Sequence, residues 1–402
     1  MKKTIIILLI IIFIILVGGL IYFLFFTKSS DQAHIIDKES IEQKDFLADK
    51  QAVLYFSSTI DQDTDNKGVS YAVFIDDKGN AVGYKMKSLE LGTIAKNKHD
   101  VMLVDKNKIR LVGESYREFK MKQEQHTGER TGYLEKPNLY FSIFNTGVNN
   151  ERGIDGYDSN VLFGNKNGFK KGNIPHYILA SGVDNNEVIL LTNDIEKEYE
   201  FRKVLFTNDD LKVQDIVQLK NDEGMDYYAN LSPIVADEND YYIVLSEFIN
   251  DTKENTVLFR INKETLDQEK VNLATYQNNN NLYATVPFNP KNSAYVYGNE
   301  FYYINGLGEV FSFDAKTHKV KIKFNITNAS KDGIRHNEGT YFEDGQLYVM
   351  RYNEKRENHY YIEQYSLNTG EKIKEIKING LEEILSSVKG KTIHAYDFKM
   401  LK

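Results

Sequence analysis

Cysteine is absent from this 402-residue sequence. Without thiols the chain cannot form disulfides, thiolate nucleophiles, cysteine-ligated zinc sites or iron–sulfur clusters, and it cannot carry a lipid on a cysteine. Tryptophan is also absent and proline is scarce at 5 residues, whereas Tyr and Phe are abundant at 27 and 23. Many aromatic residues with little proline favour β-sheet. The formal net charge of −8 repels phosphate backbones, so we predict no nucleic-acid partner.

The N-terminal segment has the composition of a membrane span. Residues 4–26 carry no charge and consist mainly of Ile, Leu and Phe, and they follow Lys2 and Lys3. A helix rises 1.5 Å per residue, so this segment would span roughly 34 Å, enough to cross the ~30 Å hydrocarbon core of a bilayer. A cleaved signal peptide is the alternative, but its apolar run is usually about 7–15 residues long and ends in small residues. Lysines before the span favour a cytoplasmic N-terminus.

These observations predict the organisation of the whole chain. The part that follows the span would lie outside the cytoplasm, at the cell membrane, and the span itself would contact membrane lipid. The predicted parts are a cytoplasmic stub at 1–3, a transmembrane signal-anchor helix at 4–26, a polar stalk at 27–50 and a folded ectodomain at 51–402.

The sequence of the ectodomain alternates between short apolar runs and clusters of turn-forming residues. Apolar runs at 52–56, 69–75 and 101–104 are examples, and the clusters at 76–80 and 105–107 separate such runs. This pattern is typical of sandwiches, barrels and propellers. Pairs of adjacent tyrosines occur within several of the runs. Successive side chains of a strand face opposite ways, so we expect half of each pair to lie in the core.

An internal repeat distinguishes among these folds. Three segments share an apolar strand, then Asn or Asp, then a turn at threonine, then a second strand, and their threonines, Thr265, Thr317 and Thr369, lie 52 residues apart. A fixed period of about 50 residues is typical of a β-propeller. We therefore predict an all-β propeller of about seven four-stranded blades, in which the run at 392–399 closes the ring by completing the first blade. A pair of β-sandwich domains is the alternative fold.

With its predicted anchor, the chain resembles membrane-anchored β-propeller proteins of bacterial surfaces. The resemblance extends over residues 51–402 at the level of architecture and includes no family-specific motif. It implies a rigid platform with loops on both rims, held near the membrane. Fold alone does not establish function.

The most specific local motif is an acidic loop at 61–68, between two predicted strands. Aspartates at its positions 1, 3 and 5 are followed by an asparagine. Carboxylate and amide oxygens that converge on one point suit Ca²⁺. The loop departs from the EF-hand form because its glycine comes at position 8 instead of 6. We predict a Ca²⁺ site formed by Asp61, Asp63, Asp65 and Asn66, with a solvated hairpin tip as the alternative.

No local catalytic motif accompanies this loop. Ser386 and Lys389 have the Ser-x-x-Lys spacing of some acyl enzymes, but the further elements that those enzymes need are missing. The 8 histidines are scattered and form no His-x-His or His-Glu-x-x-His pair. We therefore predict no catalytic residue, and an enzyme is the less favoured interpretation.

The predicted function is that of a membrane-tethered extracytoplasmic binding or scaffold protein, which presents its propeller to a membrane protein or a cell-wall polymer. Two alternatives are open. One is a hydrolase or lyase that processes glycans or peptides, which would need acidic or histidine side chains directed into the channel of the propeller. The other is an accessory subunit of a membrane complex, which would show an exposed apolar patch on one rim.

Overall fold

The computed structural model of the protein describes residues 34–148, 156–193, 199–207, 209–220, 228–250, 253–277, 285–329 and 336–402. Within these ranges the strands form seven sheets of four or five strands each. The seven sheets are the blades of a β-propeller, as the repeat predicted, and we number them in chain order.

The bounds of the strands follow the chain from blade to blade. Blade 1 contains β1 (Ile35–Ile36), β2 (Lys50–Ser58), β3 (Val69–Asp76) and β4 (Ala81–Lys87). Blades 2 and 3 contain β5 (Ala95–Lys96), β6 (Asp100–Val104), β7 (Lys108–Gly113) and β8 (Arg117–Lys120), then β9 (Gly128–Leu134), β10 (Leu139–Val148), β11 (Tyr157–Asn165) and β12 (Gly168–Ile174). Blades 4 and 5 contain β13 (Tyr177–Asp184), β14 (Glu187–Asn193), β15 (Tyr199–Phe206) and β16 (Leu211–Gln218), then β17 (Tyr228–Asn230), β18 (Val235–Ala236), β19 (Asp240–Asn250), β20 (Lys253–Asn262) and β21 (Gln268–Gln277). Blades 6 and 7 contain β22 (Ala294–Tyr297), β23 (Glu300–Ile304), β24 (Glu309–Asp314) and β25 (Lys319–Asn325), then β26 (Gly339–Glu343), β27 (Gln346–Tyr352), β28 (Tyr360–Ser366) and β29 (Lys372–Lys377). The helices described are α1 (Lys38–Ile41), α2 (Leu381–Ser386) and two 3₁₀ helices at Ile60–Asp63 and Pro290–Asn292.

The last strand of the chain, β30 (Ile393–Met400), belongs to blade 1. It pairs antiparallel with β2, so that Phe398 lies opposite Leu54 and Met400 opposite Ala52. Since β2 is otherwise the first strand of the ring, this pairing joins the two ends of the propeller. The prediction that the C-terminal run completes the first blade is confirmed.

The cores of the propeller lie between adjacent blades. Tyr302 and Tyr303 on β23 show this because they point to opposite faces of one sheet and are 1% and 0% exposed. Tyr302 packs with Val349 of blade 7, and Tyr303 packs with Val244 of blade 5. The expectation that only half of each tyrosine pair is core was wrong here, because each sheet is covered on both faces.

The segment before β2 packs on blade 1 where it is described. β1 pairs in parallel with β4, with Ile35 opposite Gly83. The Asp37 carboxylate caps α1 by accepting a hydrogen bond from the backbone N–H of Ser40 at 2.9 Å. Ile41 at the end of α1 is fully buried. This part of the predicted stalk therefore lies against the propeller.

The predicted transmembrane segment at 4–26 lies outside the described residues, as do the stub and the start of the stalk. Within the ranges that the structure describes, no helix has both the length and the apolar character needed to span a bilayer.

Blade 6 contains a carboxylate whose ionisation we expect to stabilise the fold. Burial by itself raises the pKa of Glu300, but hydrogen bonds from Tyr302, Lys323 and Lys321 outweigh it and lower the pKa from 4.5 to about 2. The folded-state pKa is depressed, so this stabilisation is complete above pH 4.5 and is lost as the pH falls toward 2. We expect Glu300→Gln to lower the free energy of unfolding by about 1–2 kcal/mol at pH 7.

Urea unfolding of both proteins at pH 7, 4 and 3 checks this expectation, because the difference between them should shrink toward the lowest pH. The control is Glu264→Gln, since the exposed Glu264 side chain forms no hydrogen bond or ion pair within the described ranges. A difference that stays constant from pH 7 to pH 3 would contradict the assignment.

Candidate functional site

A channel runs along the axis of the ring, and the innermost strand of each blade forms its wall. Neighbouring innermost strands contact one another: β5 meets β9, β9 meets β13, β13 meets β18, β18 meets β22, and β26 meets β30. These strands are held in place by the sheets behind them. Side chains directed into the channel therefore sit on a rigid frame, as a binding site requires.

The chain enters the channel between blades 5 and 6, as the 3₁₀ helix Pro290–Asn292. The Asn289 side chain caps this helix by accepting a hydrogen bond from the backbone N–H of Lys291 at 3.0 Å. The Asn289 side-chain N–H donates to the Tyr396 carbonyl at 2.9 Å, and the Asn292 side-chain N–H donates to Asp397 at 2.6 Å. We call residues 289–292 the plug. These bonds tie the plug to β30 of blade 1.

Lys291 ties the plug to the segment before blade 2 and to blade 3, across the ring from its entry between blades 5 and 6. Its ammonium donates to the carbonyls of Leu91 and Gly128, each at 3.0 Å. Leu91 precedes blade 2 and Gly128 begins blade 3. Arg130 of blade 3 in turn approaches the Lys291 carbonyl, with 3.5 Å between its Nη2 and that oxygen. The plug therefore bridges the ring across its centre.

Cavities lie on two sides of the plug. The first, of about 390 Å³, is lined by the start of β13 at Tyr177 and by the aromatic rings of Phe288 and Tyr396. The second, of about 400 Å³, is lined by Gly182 and Val183 of β13, by residues 234–236 and by Tyr341 and Phe342 of β26. Arg130 and Lys291 line both cavities. We call the position of these two cations, between the cavities, the waist of the channel.

Arg130 on β9 retains unused hydrogen-bond donors at the waist. Its Nε donates to Ser181 Oγ at 2.6 Å, and its Nη2 donates to the Ser181 carbonyl at 2.8 Å. Its Nη1 forms no hydrogen bond within the described part of the chain. Ser181 Oγ donates onward to Glu129 at 2.8 Å, which orients that carboxylate. Burial lowers the pKa of Arg130, because the charged guanidinium lies deep within the ring.

The waist carries more positive than negative charge. Burial lowers the pKa of the Lys291 ammonium, and repulsion from Arg130 adds to this effect while Glu129 opposes it. The neighbouring Lys399 and Asp397 compensate each other in an ion pair of 3.0 Å. The negative charge of Glu129 acts on both Arg130 and Lys291, and neither cation forms an ion pair with a carboxylate among the residues described. The waist has an excess of one positive charge.

The structure brings two residues of the predicted calcium loop together, but on a lysine. The Lys106 ammonium of blade 2 donates to Asp63 Oδ2 at 2.6 Å and to Asn66 Oδ1 at 2.9 Å. Asp63 Oδ1 accepts from the backbone N–H of Gly68 at 2.6 Å. A Cβ atom at Gly68 would lie 2.5 Å from that oxygen, so the glycine makes room for the aspartate.

The other two residues of the loop have different partners. Asp61 accepts a hydrogen bond from Thr59, and Asp65 accepts one from the backbone N–H of Lys67 at 3.0 Å and lies 3.4 Å from Lys391. No group of three or more His, Asp or Glu side chains is placed to hold a metal ion in the described ranges. A Ca²⁺ ion at this loop stays a prediction, and Lys106 would compete with it for Asp63.

Two histidines that are far apart in the sequence meet beside the first cavity, which His336 lines. The rings of His336 and His394 have centroids 4.5 Å apart. Burial and the neighbouring His336 lower the pKa of His394. Local spacing could not reveal this pair.

The waist could not be found from the sequence either, since its two cations come from blade 3 and from the plug. One signal was available. Two of the 5 prolines in the chain, Pro287 and Pro290, fall within four residues of each other and line the first cavity. Such a cluster interrupts a strand pattern and marks an irregular segment.

The fold and the channel define a seven-bladed β-propeller whose channel contains a plug. The chain belongs to the YycP β-propeller domain family, whose model matches residues 45–401. The Bacillus subtilis (strain 168) protein YycP is 32% identical over 370 residues, which cover 91% of this chain and 92% of that protein.

Three solved structures with a similar fold are 9–12% identical to this chain. A Synechocystis apocarotenoid oxygenase has a TM-score of 0.45 at 9% identity and covers 87% of this chain and 92% of its own. A putative 6-phosphogluconolactonase from Bacteroides uniformis has a TM-score of 0.43 at 9% identity, with 87% and 99% covered. BamB from Moraxella catarrhalis has a TM-score of 0.39 at 12% identity, with 71% and 76% covered. Likeness at this level carries no argument about function.

Proposed function

We propose that this protein is a membrane-tethered extracytoplasmic binding protein whose partner, a membrane protein or a cell-wall polymer, places a group in the central channel. The plug is the observation that carries the proposal. It is fixed beside the first cavity by hydrogen bonds to blade 1, to the segment before blade 2 and to blade 3, and aromatic rings and unused donors line that cavity. Concave sites with apolar walls and a few placed polar groups are typical of ligand binding.

Inward Arg, Asp and His side chains are also what the hydrolase or lyase alternative would need. The hydrogen bonds of the channel carboxylates, Asp397 and Glu129, favour a binding protein over an enzyme. Asp397 Oδ2 accepts from the Ile94 backbone N–H at 2.7 Å, and its Oδ1 accepts from Asn292 and Lys399. Both oxygens of Asp397 therefore hold the plug and the wall together. Glu129 is oriented by the Ser181 hydroxyl and lies beside Arg130 and Lys291. This arrangement suits the binding of a charged ligand group.

One experiment tests location and channel binding together. Because the chain has no cysteine, Tyr177→Cys introduces a unique thiol at the mouth of the first cavity, where Tyr177 is 39% exposed. A membrane-impermeant, thiol-reactive photocrosslinker is added to intact cells, which are then illuminated. We expect labelling without permeabilisation and, after illumination, a crosslinked species detected by electrophoresis and mass spectrometry.

The matched control is Ile373→Cys, because Ile373 is 55% exposed on the outer strand of blade 7, away from the channel. It should be labelled equally but should give no comparable crosslink. Labelling that requires permeabilised cells would contradict the extracytoplasmic location. Equal crosslinking from both positions, or none from position 177, would contradict binding in the channel.

A further inference from the structure

We propose that the waist of the channel binds a carboxylate group of a small ligand between Arg130 and Lys291. The proposal rests on the proposed role of the channel as a binding site, and it names the chemistry of what binds there. Both cations line both cavities, so a ligand in either cavity can reach them.

The excess of one positive charge at the waist matches a ligand group that carries one negative charge. Lys399 and Asp397 neutralise each other at 3.0 Å, and Glu129, whose charge acts on both Arg130 and Lys291, offsets one of these two cations. A carboxylate carries one negative charge, which would leave the waist neutral. A phosphate monoester carries about 1.5 to 2 negative charges near neutral pH and would leave an excess of negative charge in a buried place. The charge balance therefore favours a carboxylate over a phosphate monoester.

The hydrogen-bond donors at the waist fit the same ligand. Lys291 uses two of its N–H groups on the Leu91 and Gly128 carbonyls, and an ammonium has three. Arg130 uses its Nε and Nη2, so both N–H groups of Nη1 are unused within the described part of the chain. The remaining N–H of the Lys291 ammonium can donate to one oxygen of a carboxylate, and an N–H of Arg130 Nη1 can donate to the other oxygen. Such charge-assisted hydrogen bonds are the stronger kind.

The walls of the first cavity suit an apolar or aromatic body on the ligand. Phe288, Tyr177 and Tyr396 line it together with Ile178. Aromatic walls favour ligands that can stack or bury apolar surface. The inferred ligand class is thus an aromatic or apolar carboxylic acid, free or as the end group of a larger molecule.

Benzoate is the probe, and benzamide is its uncharged analogue of nearly the same shape. Binding of both to the full-length protein in detergent is measured by isothermal titration calorimetry at low salt. We expect benzoate to bind about 10-fold or more tightly than benzamide, and Arg130→Met and Lys291→Met each to weaken benzoate about 10- to 100-fold. Arg130→Lys should retain part of the preference, and Arg117→Met, which removes an exposed cation on β8, should change nothing. Phenyl phosphate should bind more weakly than benzoate.

Affinity for benzamide shows whether a variant is still folded. If Arg130→Met binds benzamide like the unaltered protein but has lost its preference for benzoate, the waist is the carboxylate site. Equal affinity of the unaltered protein for benzoate and benzamide, no binding of benzoate, or full benzoate affinity in both methionine variants would overturn the proposal. A channel crosslink from position 177 without any carboxylate preference would leave the proposed function standing while this inference falls.

Discussion

Replacing Lys106 with methionine is expected to lower the free energy of unfolding by about 3–5 kcal/mol, because it leaves a buried carboxylate without its counterion. The side chains of Lys106 and Asp63 are 4% and 7% exposed, and their charged atoms lie 2.6 Å apart. The pair also joins two blades, since Asp63 follows β2 in blade 1 and Lys106 lies in the turn between β6 and β7. Thermal and urea unfolding of the full-length protein measure the effect.

The matched control for this prediction is Lys67→Met. Lys67 lies in the same loop, but its side chain is 77% exposed and its partner Asp65 is 3.4 Å away, so its removal should cost less than about 1 kcal/mol. A loss of similar size from both variants would refute the role of burial. Adding Ca²⁺ extends the test: recovery of the Lys106→Met variant by Ca²⁺ would support the predicted metal site, with the ion in place of the ammonium.

Truncation after residue 391 is expected to prevent folding altogether. The truncated chain lacks β30, in which Phe398 and Met400 are 1% and 3% exposed. Removing a buried Phe or Met side chain alone costs about 2–5 kcal/mol, and a whole domain is stable by only about 5–15 kcal/mol. The truncation also leaves the fully buried strand β2 without a partner along one edge. Size-exclusion chromatography and circular dichroism should show aggregated or unfolded protein.

Removal of Lys402 alone is the control for the truncation. Its ammonium forms an exposed ion pair with Asp77 at 2.8 Å, which contributes at most about 1 kcal/mol. This variant should fold and elute like the unaltered protein. A cooperative unfolding transition in the chain that ends at residue 391 would show that the ring is stable without its closing strand.

The fold could be predicted from the sequence because the signals that specify its strands and turns lie close together along the chain. Turn clusters and apolar runs place most strands, and the spacing of Thr265, Thr317 and Thr369 reveals the period. The burial of both Tyr302 and Tyr303 could not be read in the same way. Alternation along a strand gives the two faces, but whether both are covered depends on the neighbouring blades.

The candidate site could not be predicted, because it is assembled by ring closure. Arg130, Lys291 and Asp397 are distant in sequence, and no spacing rule connects them. The acidic loop at 61–68 shows that a visible local motif does not reveal its partner in the fold. Its local spacing was visible, but the cation that Asp63 binds in the structure comes from a turn of the next blade, at Lys106.

The plug has a consequence for ligands that bind in the two cavities beside it. The plug lies between two cavities, and Arg130 and Lys291 line both of them. If the waist binds a carboxylate as proposed, an acidic ligand in one cavity would neutralise the excess positive charge that a ligand in the other cavity needs. We therefore expect an acidic ligand in one cavity to weaken the binding of an acidic ligand in the other, although the two ligands are not in contact. Thermodynamic linkage requires each ligand to lower the affinity of the other by the same factor.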